Sequence, residues 1–155
     1  MPKRSAGILL YRRSGDDVEV LLVHPGGPFW ARKDLGAWSI PKGEYDQGDD
    51  PLETALRELE EETGHRLGDQ DLLELGTIRQ RSGKVLSAWA APGDLDAETI
   101  TSNTFTIEWP PRSGSQREFP EVDRAEWFDV PTAREKVLAA QAELIERLLN
   151  ALAER

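Results

Sequence analysis

Apolar residues gather in two short runs at 6–12 and 18–24, separated by Arg13-Ser14-Gly15-Asp16-Asp17. Turn-forming residues between β-type runs predict a hairpin. His24-Pro25-Gly26-Gly27-Pro28 then breaks regular structure, and an irregular loop to Gly36 carries Phe29, Trp30, Arg32 and Lys33. Residues 37–40 read as a short extended piece stopped by Pro41. Over 50–64 the period changes to that of a helix: Leu52, Ala55, Leu56 and Leu59 recur on one face. Asp50 and Glu53 make a capping-box pattern, Pro51 takes the first helical position, and Gly64 falls where a helix-ending glycine belongs. Residues 72–81 and 85–91 predict a second hairpin around Ser82-Gly83, followed by a polar connection over 91–103. Residues 104–109 alternate as a strand, the stretch from Pro110 to Ser115 ends it as a loop, and 125–128 form a short strand. From Thr132 to the end the pattern is helical, with Leu144, Ile145, Leu148, Leu149 and Leu152 on one face. Hairpins with one mid-chain and one terminal helix do not alternate as βαβ units. The fold class expected is therefore α+β, a mixed sheet with helices packed against it.

The 155 residues suit one domain over 1–155 with one core, and 38% apolar residues suffice to build it. No apolar run approaches the length needed to cross a bilayer, so no membrane partner is expected. The start, Met1-Pro2-Lys3-Arg4, enters a strand without the apolar segment of a signal peptide. The absence of cysteine removes disulfides, thiolate metal sites and a cysteine nucleophile from consideration. These features predict a cytoplasmic protein.

Charge sharpens the picture. The formal net charge is −10, and the stretch 43–64 alone contains nine acids (Glu44, Asp46, Asp49, Asp50, Glu53, Glu58, Glu60, Glu61 and Glu62) against one base, Arg57. The remainder is close to neutral, so duplex nucleic acid is a poor partner. A local excess of carboxylates attracts cations instead.

On a helical wheel with Leu52 at zero, Glu61, Glu58 and Glu62 fall at about 180°, 240° and 280°, an arc beside the apolar stripe. Arg57, at about 140°, stands one turn before Glu61. Oxygen ligands without histidine or cysteine favour hard ions such as Mg²⁺ or Mn²⁺. A solvated acidic face is the competing reading. Two features favour the ion: Glu58 and Glu62 flank the buried stripe, and Pro41-Lys42-Gly43 supplies a turn able to bring a carbonyl and an ammonium to the same place.

The stretch 43–64 resembles the Nudix box, G-x5-E-x7-R-E-U-x-E-E-x-G-U with U aliphatic. Gly43, Arg57, Glu58, Leu59, Glu61, Glu62 and Gly64 stand at its spacings, while Asp49 replaces the first glutamate and His65 the last aliphatic residue. The resemblance implies a Nudix-type αβα sandwich with the catalytic helix at about 51–63 and a C-terminal helix. It implies hydrolysis of a nucleoside diphosphate linked to a moiety X, with Mg²⁺ or Mn²⁺ as cofactor and a nucleotide-type small molecule as substrate. Gly43, Glu58, Glu61 and Glu62 would hold metal, and Arg57 would orient the carboxylates. Glu61 would ligate metal or position water, and a further carboxylate outside the box, with Glu121 preferred over Glu118 and Asp123, would serve as base or extra ligand. Asp49 keeps the charge of the residue it replaces but is one methylene shorter, so its contact with Arg57 must shift or pass through water. A homodimer is compatible with the family.

Trp30, Arg32 and Lys42 are the candidate substrate contacts. Lys42 can meet a phosphate as a point charge, or stand as a solvated turn residue. Trp-Ser-Ile-Pro-Lys-Gly at 38–43 is similar to the segment before the box in family members that cut dinucleoside or diphosphoinositol polyphosphates. Trp38 reads equally as a core residue. Trp30 beside Arg32 and Lys33 suits base stacking with the phosphates held by the cations. Covering the sheet edge is the alternative, and the role expected for Phe29. Trp89, Trp109 and Trp127 are expected in the core, and His24 as a packed or capping histidine. Competing functions are a nucleotide-binding module that does not cleave, which the Asp49 departure favours, and an RNA 5′-end pyrophosphohydrolase, for which Arg112 and Arg117 offer little basic surface.

Overall fold

The structure, a computed structural model, describes residues 3–67 and 72–154; Met1 and Pro2 of the expected N-terminal start lie outside them. β1 (Arg4–Ser14) and β2 (Asp17–Pro25) form the first hairpin, paired from Tyr11↔Val20 to Ser14↔Asp17. β3 (Lys42–Tyr45) runs antiparallel to the first half of β1 with Ala6 opposite Gly43. β4 (Leu73–Arg79) and β5 (Val85–Pro92) form the second hairpin, and β5 lies parallel to β1 along its whole length. A short 3-10 turn (Ala97–Thr99) follows. β6 (Thr104–Glu108) and β7 (Gln116–Pro120) pair as a separate two-stranded sheet. β8 (Val122–Asp129) closes the main sheet against β2, giving the order β4-β5-β1-β2-β8.

Helix α1 (Pro51–Thr63) covers one face of this sheet. The strand period of two explains how: Ala6, Ile8 and Leu10 of β1 turn to the α1 side, while Leu9 and Tyr11 turn to the opposite side. Ala55 and Leu59 are fully buried against the first set, with Leu52 and Leu56 partly buried beside them. Burying one such leucine stabilises the fold by roughly 1.5–3 kcal/mol. The opposite face is covered by α2 (Val130–Lys136) and α3 (Ala142–Ala153), whose Leu144, Ile145 and Leu148 are buried. Helices on both faces of a mixed sheet make the expected αβα sandwich. No helix among the described residues is long and apolar enough to cross a membrane.

Several expectations change. The cap of α1 is one-sided: Asp50 accepts from the Leu52 N–H at 3.1 Å, whereas Glu53 is exposed and gives no return bond among the described residues. The terminal helical stretch is broken between α2 and α3, because the backbone at 137–138 pairs with Trp38 instead: Trp38 N–H donates to Lys136 O at 2.9 Å and Leu138 N–H to Trp38 O at 2.8 Å. A 3-10 turn (Ala139–Gln141) then leads into α3. Residues 116–120, for which the sequence pattern predicts no element, form a strand through pairing with β6, although Gln116, Arg117 and Glu118 are all exposed. Trp109 is not a core residue. It stands edge-on to Phe29, 5.4 Å between ring centres, and Phe29 is 64% exposed and does not seal the sheet edge.

Candidate active site

The first component is the contact between β3 and α1. A side chain at Gly43 would overlap the carboxyl group of Glu58, so glycine is the residue that lets this carboxylate lie against the strand. One position earlier, the Lys42 N–H donates to Glu62 Oε2 at 2.8 Å. Glu58 and Glu62 are thus one helical turn apart and both lean on β3. Glu61 lies at the edge of the arc, with its Oε1 3.9 Å from Arg57 Nε. Two carboxylates of the predicted arc, Glu58 and Glu62, therefore lie against the strand, while Glu61 stands partly exposed beside Arg57.

Burial gives these carboxyls unusual acidities. Glu62 is pushed up to about 8, first by desolvation and then by the charge of Glu58; its hydrogen bond from Lys42 N–H opposes the shift without cancelling it. Glu58 is raised as well, by desolvation first and then by Glu61, with Glu121 adding to the repulsion. Lys42 is shifted down by desolvation and by Lys84, against the pull of Glu62, Glu44 and Glu58. Several like charges held in a partly dry place are costly to the fold, which is a signature of a working site.

A cavity of about 200 Å³ opens beside these groups, walled in part by Trp30, Ser39, Lys42, Glu62, Glu121 and Leu138. Trp30 from the loop, Lys42 from β3, Glu62 from α1 and Glu121 from the turn before β8 therefore meet in one place. Lys33 Nζ lies 5.1 Å from the centre of the Trp30 ring. Among the three rival carboxylates, Glu121 lines the cavity, Glu118 is exposed opposite Thr106 on the small sheet, and Asp123 is engaged by His24 at 2.8 Å.

Three candidates stand elsewhere. Arg32 is exposed and forms no part of the cavity wall. Trp38 is a core residue, 1% exposed, with its Nε1–H donated to Asp34 at 2.8 Å. Asp49 accepts the Asp46 N–H at 3.0 Å and stands in the wall of a separate groove of about 620 Å³ with Lys3, Arg4 and Tyr45. Its carboxylate closes its own turn; the described ion pair of Arg57 is with Glu61.

Asn103, which the sequence does not single out, joins the two halves of the site through its backbone. Its N–H donates to Glu61 O at 2.9 Å and its carbonyl accepts from Glu121 N–H at 2.8 Å. Nothing in the residue type marks this role, which is carried wholly by the main chain. His65 N–H caps onto Thr63 Oγ1 at 3.1 Å, away from the cavity wall.

The NUDIX domain family model matches residues 1–148. The chain belongs to the Nudix family. Among relatives, it is 32% identical over 137 residues to an octanoyltransferase of Myxococcus xanthus, covering 88% of this chain and 33% of that protein. It is 32% identical over 110 residues to the asymmetrical bis(5'-nucleosyl)-tetraphosphatase of Rattus norvegicus, covering 63% of this chain and 71% of that one. The chain thus spans about a third of the Myxococcus protein. Among solved structures, a C. elegans Ap4A hydrolase in a binary complex superposes with a TM-score of 0.70 at 21% identity, covering 97% of this chain and 99% of that one. That likeness speaks to the Nudix fold.

The fit of a divalent ion to this Nudix site rests on its donor set. Among the described residues no three carboxylate or histidine side chains converge on one point. Glu62 is turned to Lys42 N–H, and Glu61 leans toward Arg57. An all-protein cage is therefore not built. Mg²⁺ does not need one, because it keeps several waters and is held by one or two carboxylates together with substrate phosphates. Partly buried, mutually repelling Glu58 and Glu62, the latter in the wall of the cavity, fit that kind of ion.

Proposed function

We propose that this chain, acting as one domain over 1–155, is a divalent-metal-dependent pyrophosphohydrolase that cleaves a nucleoside diphosphate linked to a moiety X. The observation that carries the reading is the meeting of Glu62, Lys42, Trp30 and Glu121 at one cavity, with Glu58 one helical turn behind Glu62 against Gly43 and both glutamates perturbed by desolvation. Family membership and the tetraphosphatase name of the rat relative support hydrolysis of a phosphoric anhydride. They also favour nucleoside triphosphates or dinucleoside polyphosphates as the substrate class.

Glu58 and Glu62 would hold Mg²⁺ or Mn²⁺ with the Gly43 carbonyl, and Glu61 would join them or position water. The ion supplies Lewis acidity and screens phosphate charge, which is how an acidic site accepts an anionic substrate. The chain's own residues do the rest. The Trp30 ring stacks a base, and Lys42 meets a phosphate oxygen. Arg57 steers Glu61. Water adds to one phosphorus, the bridging P–O bond breaks with its electrons leaving on the departing phosphate, and Glu121 accepts the proton from the water.

The test is product analysis across diadenosine polyphosphates, ADP-sugars and nucleoside triphosphates with Mg²⁺ or Mn²⁺ in isotopically labelled water. Label in one phosphate product and loss of turnover in Glu62→Gln support the reading; full turnover in Glu62→Gln sinks the assignment of roles. A second reading, a nucleotide-binding module without turnover, is favoured by Asp49 being committed to its own turn. It predicts that nucleotides raise the melting temperature while no product forms.

A further inference from the structure

His24 ends the fully buried part of β2 and is itself 1% exposed. Both ring nitrogens are engaged. Nε2 lies 2.7 Å from the Lys33 carbonyl, in the loop 26–36, and Nδ1 lies 2.8 Å from Asp123 Oδ1 on β8. A carbonyl only accepts, so Nε2 carries hydrogen and donates; the Nδ1–Oδ1 contact is bridged by a single proton. The ring is held edge-on to Trp38, 5.1 Å between centres, so it has a fixed orientation as well as fixed partners.

The register of the sheet explains why Asp123 reaches it. His24 pairs with Arg124, but the next residue, Pro25, pairs with Val122. Asp123 is thus an extra residue in β8, a bulge, and a bulge re-aims the side chain it carries. The same irregularity sets the residue before the strand: Gly26 N–H donates to Glu121 O at 2.9 Å, and a side chain at Gly26 would overlap the Pro120 carbonyl. On the loop side, Lys33 N–H donates to Trp30 O at 3.0 Å, so fixing Lys33 fixes the backbone of Trp30.

We infer that His24 and the bulged Asp123 form a positioning pair, a buried clamp tying the Trp30 loop to the Glu121 turn so that both face one cavity. The clamp touches neither substrate nor reacting atoms. It acts through Lys33 on the Trp30 wall, while Glu121 keeps its own backbone bonds to Gly26 and Asn103. The inference rests on the proposed reading of the cavity for its catalytic meaning, but not for its mechanical content.

The bond after Lys33 is a trypsin site whose carbonyl His24 holds, and this gives a readout independent of activity. His24→Phe risks the fold, so the informative variants are Asp123→Ala, which removes the partner of Nδ1, and Asp123→Asn, whose amide can donate to Nδ1 and restore the clamp. Limited trypsin digestion of the full chain, with peptides mapped by mass spectrometry, is expected to cut after Arg32 and Lys33 roughly tenfold faster in Asp123→Ala, following the population of the opened loop. Asp123→Asn should stay within about twofold of the parent. With diadenosine tetraphosphate as probe, Asp123→Ala is expected to raise KM about tenfold while kcat falls less than about threefold, and Asp123→Asn to rescue it. Equal digestion of Asp123→Ala and parent overturns the clamp, as does an Asn variant that behaves like Ala, or an unchanged KM in an active Ala variant. If the parent turns over no nucleotide at all, the functional reading falls and digestion alone decides the clamp.

Discussion

Glu62 Oε2 accepts the backbone N–H of Lys42 at 2.8 Å, yet its carboxyl is pushed up to about 8. One hydrogen bond does not repay the removal of a charge from water when a second carboxylate, Glu58, stands one turn away. The fold therefore carries a stored electrostatic cost at the point where β3 meets α1, and that cost has a measurable pH dependence. The folded value lies above the ordinary value of 4.5. Glu62 then contributes stability that is fully present below the unfolded value and lost as pH rises through the folded one. Between pH 5 and 8 the metal-free chain is expected to lose on the order of a few kcal/mol from this group. Glu62→Gln should abolish that loss, which equilibrium urea unfolding at several pH values reads directly. Parallel curves for parent and variant across this window refute it.

A divalent ion competes with the proton for the same oxygens, so its effect should grow with pH. Mg²⁺ or Mn²⁺ is expected to raise the melting temperature more at pH 8 than at pH 5, and chelator should reverse the gain. A shift of equal size at both pH values, or one that persists in a Glu58→Gln, Glu62→Gln double variant, places the ion elsewhere.

Gly43→Ala tests the strand side of the site without touching a charge. The added methyl would occupy the space of the Glu58 carboxyl, which must swing out toward solvent. Metal affinity is expected to fall about 10–100-fold, the size of loss seen when the support of a metal ligand is disturbed. Metal-free stability at pH 8 should hold or rise, because one repelling carboxylate leaves the cluster. Isothermal titration with Mn²⁺ measures the first effect and urea unfolding the second.

Much of this site was legible because its signals are local. Asp50-Pro51 at the start, Gly64 at the end and a leucine stripe between them specify α1 and its acidic arc from a span of a few turns. The parts that escaped depend on distant partners. Residues 116–120 become a strand only because β6 lies alongside, and the helix expected from Thr132 onward breaks because Trp38 claims the backbone at 137–138. The sequence already prefers Glu121 among three acids, but the reason lies in the β2–β8 register, where a bulge one residue long turns Asp123 to His24 and leaves Glu121 in the cavity wall. Arg32 looked like a phosphate contact by its neighbours in sequence, but the loop turns it to solvent.

Asp49 departs from the family pattern, and its geometry predicts a small effect. Its carboxylate accepts the Asp46 N–H within its own exposed turn, and it lines a groove apart from the Trp30 cavity. Asp49→Ala is expected to cost about 0.5–1.5 kcal/mol of stability, the worth of one such hydrogen bond. Turnover should stay within about threefold of the parent, a barrier change under roughly 0.7 kcal/mol. A collapse of kcat in Asp49→Ala without loss of fold would show that this residue reaches Arg57 or the reacting groups during turnover.

Trp30 and Arg32 are two residues apart and should behave differently. Trp30 is half-buried in the cavity wall with Lys33 beside its ring, while Arg32 is exposed outside it. Loss of one base–aromatic stack costs about 1–3 kcal/mol. Trp30→Ala is therefore expected to raise KM for diadenosine tetraphosphate by about 5–150-fold with kcat little changed, and Trp30→Phe to recover most of it. Arg32→Ala should leave both constants within about twofold, since an exposed charge at the rim contributes little. A linear polyphosphate, which has no base to stack, provides the control: its affinity should be indifferent to Trp30→Ala. Equal losses for the nucleotide and the polyphosphate would mean that the ring shapes the cavity instead of holding a base, and the substrate class would then have to be read from Lys42 alone.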